Sequence, residues 1–125
     1  MMLLAIALGG AVGSVLRYLV GVTVQRASHT GFPVGTLAVN IVGCVIVGAL
    51  AAHFLNDETQ PVLRAALTVG FCGGFTTFST FTLETFGLLA GGDWPKAVAY
   101  VGASMLACIA GTMAGFRLVR LLQDA

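Results

Sequence analysis

Charged side chains are scarce in this chain of 125 residues: Asp, Glu, Lys and Arg make up 9% of it, against about 25% in soluble proteins. Hydrophobic residues make up 58%, and the mean hydropathy is +0.97. A net charge of +1 provides no basic surface for nucleic acid. The composition therefore excludes a soluble protein and a nucleic-acid-binding protein, and indicates an integral membrane protein.

Cysteine and histidine are also few. Cys44, Cys72 and Cys108 lie inside apolar runs without a CxxC pair, and His29 and His53 are the only histidines. This pattern excludes a disulfide framework and a zinc site. Because no cluster of His, Cys and carboxylate side chains is available for catalysis, we expect buried thiols and no enzymatic activity.

Apolar runs, by contrast, are long enough to cross a bilayer, which takes about 20 residues. We expect an all-α protein with one transmembrane domain over 1–125, and spans at about 3–25, 33–54, 64–90 and 96–118. The N-terminal run lacks the basic segment of a signal peptide, so it is assigned to the first span. Tyr18 and Trp94 are candidate anchors at the membrane interface.

Positive charge does not impose one orientation on these spans. One side of the membrane would carry Arg64, Arg117 and Arg120, and the other would carry Arg26 and Lys96. Asymmetry of Lys and Arg between the two sides normally sets topology, and here it is nearly absent. Either other signals set the orientation, or the chain inserts both ways. We favour the second interpretation, which implies an antiparallel homodimer.

Small residues recur at four-residue spacing in three of the spans, a pattern that lets helix backbones approach each other in lipid. The pairs are Gly9 with Gly13 and Gly70 with Gly74, and the fourth span has a stripe of Ala103, Ala107, Gly111 and Gly115. We expect these faces to pack closely and to carry no chemistry of their own.

Three polar side chains fall within apolar runs, where a central charge costs about 2.5–3.5 kcal/mol on insertion scales. Arg17 continues the spacing of the first glycine pair, so it lies on the packing face or snorkels to the nearer interface. Glu84 shares a helix face with Thr80 and is either a functional group or a structural hydrogen-bonding acid. Asn40 offers two N–H donors in the middle of the second span, for a ligand or for a neighbouring helix.

The fourth span also carries a row of hydroxyl and thiol groups at four-residue spacing: Tyr100, Ser104, Cys108 and Thr112. Such a row could hydrate or pass a small ion. Taken singly, each of these residues is more often packed or bonded back to its own helix.

The third run contains GGFTTFSTF at 73–81, which is unsuited to a helix facing lipid. We predict a break at Gly73–Thr76, between half-helices at 64–72 and 77–90. Non-helical backbone at membrane depth must be buried in protein or line a polar cavity. Half-helix ends can hold ions there, cations at carbonyls and anions at amides.

Phe78 and Phe81 follow this break and project from the same face of the second half-helix. Aromatic residues at helical spacing usually belong to a core. Because phenylalanine rings are electropositive at their edges, an anion lined by ring edges and by N–H or O–H donors is the alternative interpretation.

Three segments closely resemble the Fluc (CrcB) family of bacterial and archaeal fluoride channels: GGFTTFSTF at 73–81, GTLAVN at 35–40 and GAVGSVLR at 10–17. The resemblance covers the whole chain. It implies a passive fluoride-selective channel that exports fluoride from the cytoplasm. It also implies a multi-pass protein of the prokaryotic inner (plasma) membrane, acting as a dual-topology antiparallel homodimer with two pores in the lipid bilayer.

The resemblance further implies roles for individual residues. The backbone carbonyls of Gly73 and Thr76 would hold a structural sodium ion at the dimer centre. The rings of Phe78 and Phe81 would line the fluoride path, and the Asn40 amide would donate to the ion.

Other implied roles concern the rest of the path. Tyr100 and Ser104 match the polar track of the family, whose next hydroxyl position is occupied here by Cys108, with Thr112 as a candidate to continue it. Arg17 resembles a basic residue of the vestibule. Further pore-lining or gating candidates are Thr36, Ser79, Thr80 and Glu84.

The alternative function is a small multidrug-type proton-coupled exporter, which also has four short spans. Such an exporter needs a membrane-embedded carboxylate in its first span, where this chain has Arg17. A non-transporting membrane subunit is a third class, but it would have no use for the polar segment at 73–81.

Overall fold

The computed structural model describes residues 1–55 and 60–125. All regular structure in these ranges is helical: α1 is Met2–Ser28, α2 is Val34–His53, α3 is Pro61–Ala65, a π-helical segment is Ala66–Cys72, α4 is Gly73–Phe75, α5 is Phe78–Ala90 and α6 is Trp94–Gln123. Four stretches are long and apolar enough to cross a membrane: Met2–Ser28, Val34–His53, Pro61–Ala90 and Trp94–Gln123. An all-helical fold with four apolar spans is thereby confirmed.

Polar side chains define the turns between the spans. The Gln25 amide donates to the carbonyls of Thr30 (3.2 Å) and Phe32 (3.0 Å), and its oxygen accepts from the Gly35 amide at 3.0 Å. Gln25 therefore holds the α1–α2 connection and satisfies a free amide at the start of α2. At the start of α6, Asp93 accepts from the Lys96 amide, as expected of an N-cap.

The first span packs against the third through the predicted glycine pairs. A Cβ on Gly9 or Gly13 would overlap the carbonyl of Ala66 or Phe71. In the same way, a Cβ on Gly70 or Gly74 would overlap the backbone of α1. The prediction of close packing is confirmed for these two pairs, because only a hydrogen in place of a side chain leaves room for the facing backbone.

The second span packs most extensively on the fourth. A Cβ on Gly48 would overlap the Thr112 carbonyl, and one on Gly115 would overlap the Val45 carbonyl. Gly111 and Gly115 are buried in this contact, whereas Ala103 is exposed. Only the C-terminal part of the small-residue stripe of α6 therefore packs against α2.

In the third span the non-helical backbone lies at a different position from the predicted break at Gly73–Thr76. Gly73–Phe75 is helical, and the extended residues are Thr76 (φ −83°, ψ 160°) and Thr77 (φ −148°, ψ 119°). The irregular backbone therefore begins three residues later than the predicted Gly73. Gly74 is needed for its contact with Gly10 rather than for an unusual backbone conformation, whereas an added Cβ on Gly73 would meet nothing within 4 Å.

The buried core of the chain is small. Tyr100 and Val39 are its largest fully buried side chains. Helix α5 is the most loosely held of the long helices and exposes large apolar side chains, namely Phe78, Leu83 and Phe86. These surfaces face lipid or another protein, since water would not stabilise them.

Candidate functional site

Two cavities in the described part of the chain contain nearly all predicted site residues. The first, of about 790 Å³, is named here the Arg17 cavity and is lined by Arg17, Thr36, Ser79, Thr80 and Glu84 among others. The second, of about 390 Å³, is named the Phe78 cavity and is lined among others by Asn40, Gly73, Thr76, Phe78, Phe81 and Ser104. Thr77 borders both cavities.

Asn40 and Thr77 form a two-bond clamp between the second and third spans. Asn40 Nδ2 donates to the Thr77 carbonyl at 3.0 Å, and Asn40 Oδ1 accepts from the Thr77 amide at 2.8 Å. These bonds satisfy extended backbone that has no helical partner. Asn40 therefore connects the helices, while the second N–H of its amide has no protein acceptor in the described part of the chain.

Thr77 also starts the next helix. Its hydroxyl oxygen accepts from the Thr80 amide at 3.2 Å and donates to the Thr80 hydroxyl at 3.0 Å. This is the N-cap arrangement that satisfies one free amide at the start of α5. The Ser79 hydroxyl lies 3.4 Å from the Thr77 hydroxyl, so a small cluster of hydroxyl groups stands at the positive end of α5.

Glu84 is held by two hydroxyl groups from other spans. Thr36 Oγ1 donates to one carboxyl oxygen at 2.8 Å, and the Tyr100 hydroxyl donates to the other at 2.7 Å. Both distances are typical of hydrogen bonds from a hydroxyl group to an oxygen. The carboxyl group thus links α2, α5 and α6, as expected of a structural hydrogen-bonding acid, and it also lines the Arg17 cavity.

Aromatic rings run from the surface into the core. The Phe78 and Phe81 ring centroids are 5.6 Å apart, the Phe81 and Tyr100 centroids 5.2 Å, and those of Tyr100 and Phe32 5.5 Å. Phe78 is 71% exposed, whereas Phe81 is 6% exposed. The two phenylalanines are therefore neighbours, but of the two only Phe78 is open on the surface of the chain.

The row of polar groups on α6 divides into three environments. Tyr100 is fully buried, Ser104 and Cys108 line the Phe78 cavity, and the Thr112 hydroxyl donates back to the Cys108 carbonyl at 3.1 Å. Thr112 lines neither cavity and does not continue the row as a free hydroxyl. The Ser104 hydroxyl is buried without a hydrogen-bond partner in the described part of the chain.

Several lining residues were missed from the sequence. Ser14 and Gln25 line the Arg17 cavity, while Thr68, Cys44 and Met105 line the Phe78 cavity. Cys44 follows Asn40 by four residues, so helical spacing alone could have placed it there. The others carry no comparable signal, because isolated polar or sulfur-containing residues are common in spans.

Four apolar spans that enclose hydroxyl, amide and carboxyl groups are typical of a multi-pass membrane protein with a transport function. A narrower assignment follows from known proteins. The chain belongs to the family described as CrcB-like protein, Camphor Resistance (CrcB), whose sequence profile matches residues 4–116. The resemblance seen in the sequence is thereby confirmed.

Curated relatives cover almost the whole chain. The chain is 44% identical over 121 residues (97% of this chain and 95% of the relative) to a fluoride-specific ion channel FluC of Sulfurovum sp.. It is 46% identical over 113 residues (90% and 93%) to the protein of the same name of Phocaeicola vulgatus. A third relative, from Geobacter sulfurreducens, is 46% identical over 125 residues (96% and 98%). The family is one of ion channels and not of enzymes.

Proposed function

We propose that this protein is a passive, fluoride-selective ion channel that exports fluoride from the prokaryotic cytoplasm across the inner membrane. The observation that carries the proposal is the near full-length similarity to bacterial proteins named fluoride-specific ion channels. The multidrug-type exporter is not favoured by these comparisons. Arg17 also stands in the first span in place of the embedded carboxylate that such an exporter needs.

The side chains in the two cavities suit a small anion. Fluoride is strongly hydrated, so a pore must replace its water by donors. The second N–H of Asn40 and the Ser104 hydroxyl are such donors in the Phe78 cavity, and the ring edges of Phe78 and Phe81 are electropositive. A narrow path lined in this way would admit fluoride and reject the larger chloride.

The Arg17 cavity suits the approach to this path. Arg17 places a positive charge there, and the hydroxyl groups of Ser79 and Thr80 stand near the positive end of α5. Thr36 and the hydrogen-bonded Glu84 line the same cavity, and Tyr100 binds Glu84 from the core. We assign Arg17 to the vestibule and the Glu84 network to the lining or gating of the path.

An antiparallel homodimer with two pores is the second part of the proposal. Phe78 is an exposed ring next to a buried one, so a second chain packed on α5 would complete the aromatic lining. The nearly even distribution of Lys and Arg between the two sides supports insertion in both orientations. In this proposal residues 1–125 form one transmembrane domain.

A structural sodium ion is the third part of the proposal, and the backbone carbonyl oxygens of Gly73 and Thr76 suit its coordination. In a continuous helix the Thr77 amide would donate to the Gly73 carbonyl, but here it donates to Asn40. Gly73 is exposed and lies in the last turn of the helical run that ends at Phe75, where carbonyl groups are left free. Thr76 presents its carbonyl from extended backbone. Carbonyl oxygens of a discontinuous span suit a sodium ion, which when bound would add positive potential near the anion path.

The test is fluoride efflux from liposomes. Purified protein is reconstituted in vesicles loaded with fluoride, and efflux is followed with a fluoride electrode while potassium and valinomycin clamp the voltage. We expect fluoride release far above that of protein-free vesicles and no comparable release of chloride. Equal permeation of the two anions, or no release above the blank, would overturn the proposal.

A further inference from the structure

The proposed channel function does not use the sulfur chemistry of the Phe78 cavity. All three cysteines of the chain line it, although they come from different elements: Cys44 from α2, Cys72 from the π-helical segment and Cys108 from α6. All three are free thiols. The thioether of Met105 belongs to the same lining.

Two of these thiols come from helices in close backbone contact, α2 and α6. A Cβ on Gly48 would overlap the Thr112 carbonyl, and Cys44 and Cys108 each lie one helical turn before these two residues and line the same cavity. Both are partly exposed, whereas Cys72 is buried. The close approach of α2 and α6 at Gly48 and Gly111 brings them together. Because both residues lie within packed helices, the pair is held in place before any ligand arrives.

The chemistry of this pair restricts the ligand. Thiolate and thioether groups select soft cations, and two thiolates match the linear coordination of Hg²⁺, Ag⁺ or Cu⁺. Zinc normally requires four ligands, and the described residues contain no group of three or more His, Cys, Asp or Glu side chains that could hold a metal. Binding of Hg²⁺ would release one proton from each thiol and form two Hg–S bonds, without any redox change.

We propose that Cys44 and Cys108 form a two-thiolate site for a soft metal cation. The site lies in the same cavity as Asn40, Phe78 and Phe81, so an ion held there obstructs that cavity. The obstruction of fluoride passage is the part that rests on the proposed function. The binding itself does not depend on it.

Binding is tested with mercuric nitrate on the reduced, detergent-purified full-length protein, by calorimetry in chloride-free buffer with a competing monothiol. We expect one tightly bound ion per chain in the wild type and in Cys72→Ser, the matched control from the same cavity. Affinity should fall roughly 100-fold or more in Cys44→Ser and in Cys108→Ser, since the gain from a second, pre-positioned ligand is lost. Wild-type affinity in either of these variants, or its loss in Cys72→Ser, would overturn the pair assignment.

X-ray absorption spectroscopy of the mercury-loaded wild type provides a test that does not depend on whether a variant folds. A spectrum with two sulfur neighbours supports the site, and one with a single sulfur or with three contradicts it. In the liposome assay, Hg²⁺ should stop fluoride efflux by the wild type and by Cys72→Ser but not by Cys108→Ser. Mercury binding without block would refute the obstruction alone, whereas absence of any fluoride efflux would refute the channel function and leave the binding result standing.

Discussion

The Asn40 side chain has one structural role and one proposed role in ion passage. It holds the extended Thr77 backbone through two hydrogen bonds, and its second N–H is proposed to meet the ion. A polar group in the middle of a span is usually costly, but here the cost is offset because the amide and the backbone satisfy each other.

Replacing this residue should therefore affect both stability and flux. In Asn40→Ala the Thr77 amide and carbonyl lose their partners, and we expect a loss of about 1–3 kcal/mol in stability. Fluoride efflux should also slow, while the chain still assembles. Thermal unfolding in detergent, size-exclusion chromatography and the liposome assay measure the three effects.

Thr112→Val is the matched control, because that hydroxyl bonds only to its own helix. It should leave unfolding and efflux nearly unchanged. If Asn40→Ala behaves in the same way as this control, the clamp has no role in stability and the assignment of Asn40 to the path is wrong.

A substitution at Tyr100 can distinguish the effect of its hydroxyl group from that of its ring. Tyr100→Phe removes the hydrogen bond to Glu84 but keeps the ring between Phe32 and Phe81. We expect slower fluoride efflux and a stability loss of about 0.5–1.5 kcal/mol, the range for a typical intramolecular hydrogen bond. Glu84→Gln should slow efflux similarly, and unchanged efflux in both variants would exclude this network from the path.

Among the helices, the close contact between α1 and the third span depends on glycine. Gly13→Ala would push a Cβ against the Phe71 carbonyl, and we expect a destabilisation of about 1–3 kcal/mol from overpacking. The measurement is the thermal unfolding midpoint in detergent.

Gly102→Ala is the control on α6, where an added Cβ meets nothing within 4 Å. It should be neutral or stabilising by about 0.5–1 kcal/mol, since alanine favours helix more than glycine does. Equal destabilisation by the two substitutions would show that the contact between backbones is not what requires glycine at position 13.

Asp93 precedes the apolar span Trp94–Gln123 and caps helix α6 with charge-assisted hydrogen bonds. Lys96 donates to Asp93 from its ammonium group at 2.5 Å and from its amide at 3.4 Å, and these hydrogen bonds lower the pKa of Asp93. A carboxylate whose pKa is lowered in the folded state adds stability above its unfolded pKa, about 3.9. That contribution is lost as the pH falls through the folded value.

The wild type should therefore unfold at a higher temperature than Asp93→Asn at neutral pH. This difference between the two midpoints should disappear at acidic pH. Asparagine keeps the capping ability, so this comparison isolates the charge. The midpoints are measured over a pH series from neutral to below about 3.9. Asp124→Asn, at the other end of α6, removes a carboxylate from the negative helix end and should not reproduce the pattern.

For the whole molecule, the proposal of two orientations makes a direct prediction. In a variant without the native cysteines, Gly31→Cys places a thiol in the α1–α2 connection, where an added Cβ meets nothing within 4 Å. A membrane-impermeant maleimide should label this thiol from both sides of the membrane, in comparable amounts. Labelling from one side only would contradict the antiparallel dimer.

The number of apolar spans and the glycine contacts between the first and third spans could be predicted from composition and spacing. Span length depends on bilayer thickness and apolar content. Close helix contacts depend on small residues at four-residue intervals. Both properties belong to a single helix, so they can be seen in the linear chain, and the same spacing placed Phe78 beside Phe81.

Contacts between spans were decided by the tertiary structure. Glu84 binds Thr36 and Tyr100, Asn40 binds Thr77, and Cys108 lines the same cavity as Cys44. Each of these pairs depends on how far one helix is rotated about its axis relative to another. That rotation is set by the packing of glycine faces and bulky side chains together, which no single span contains.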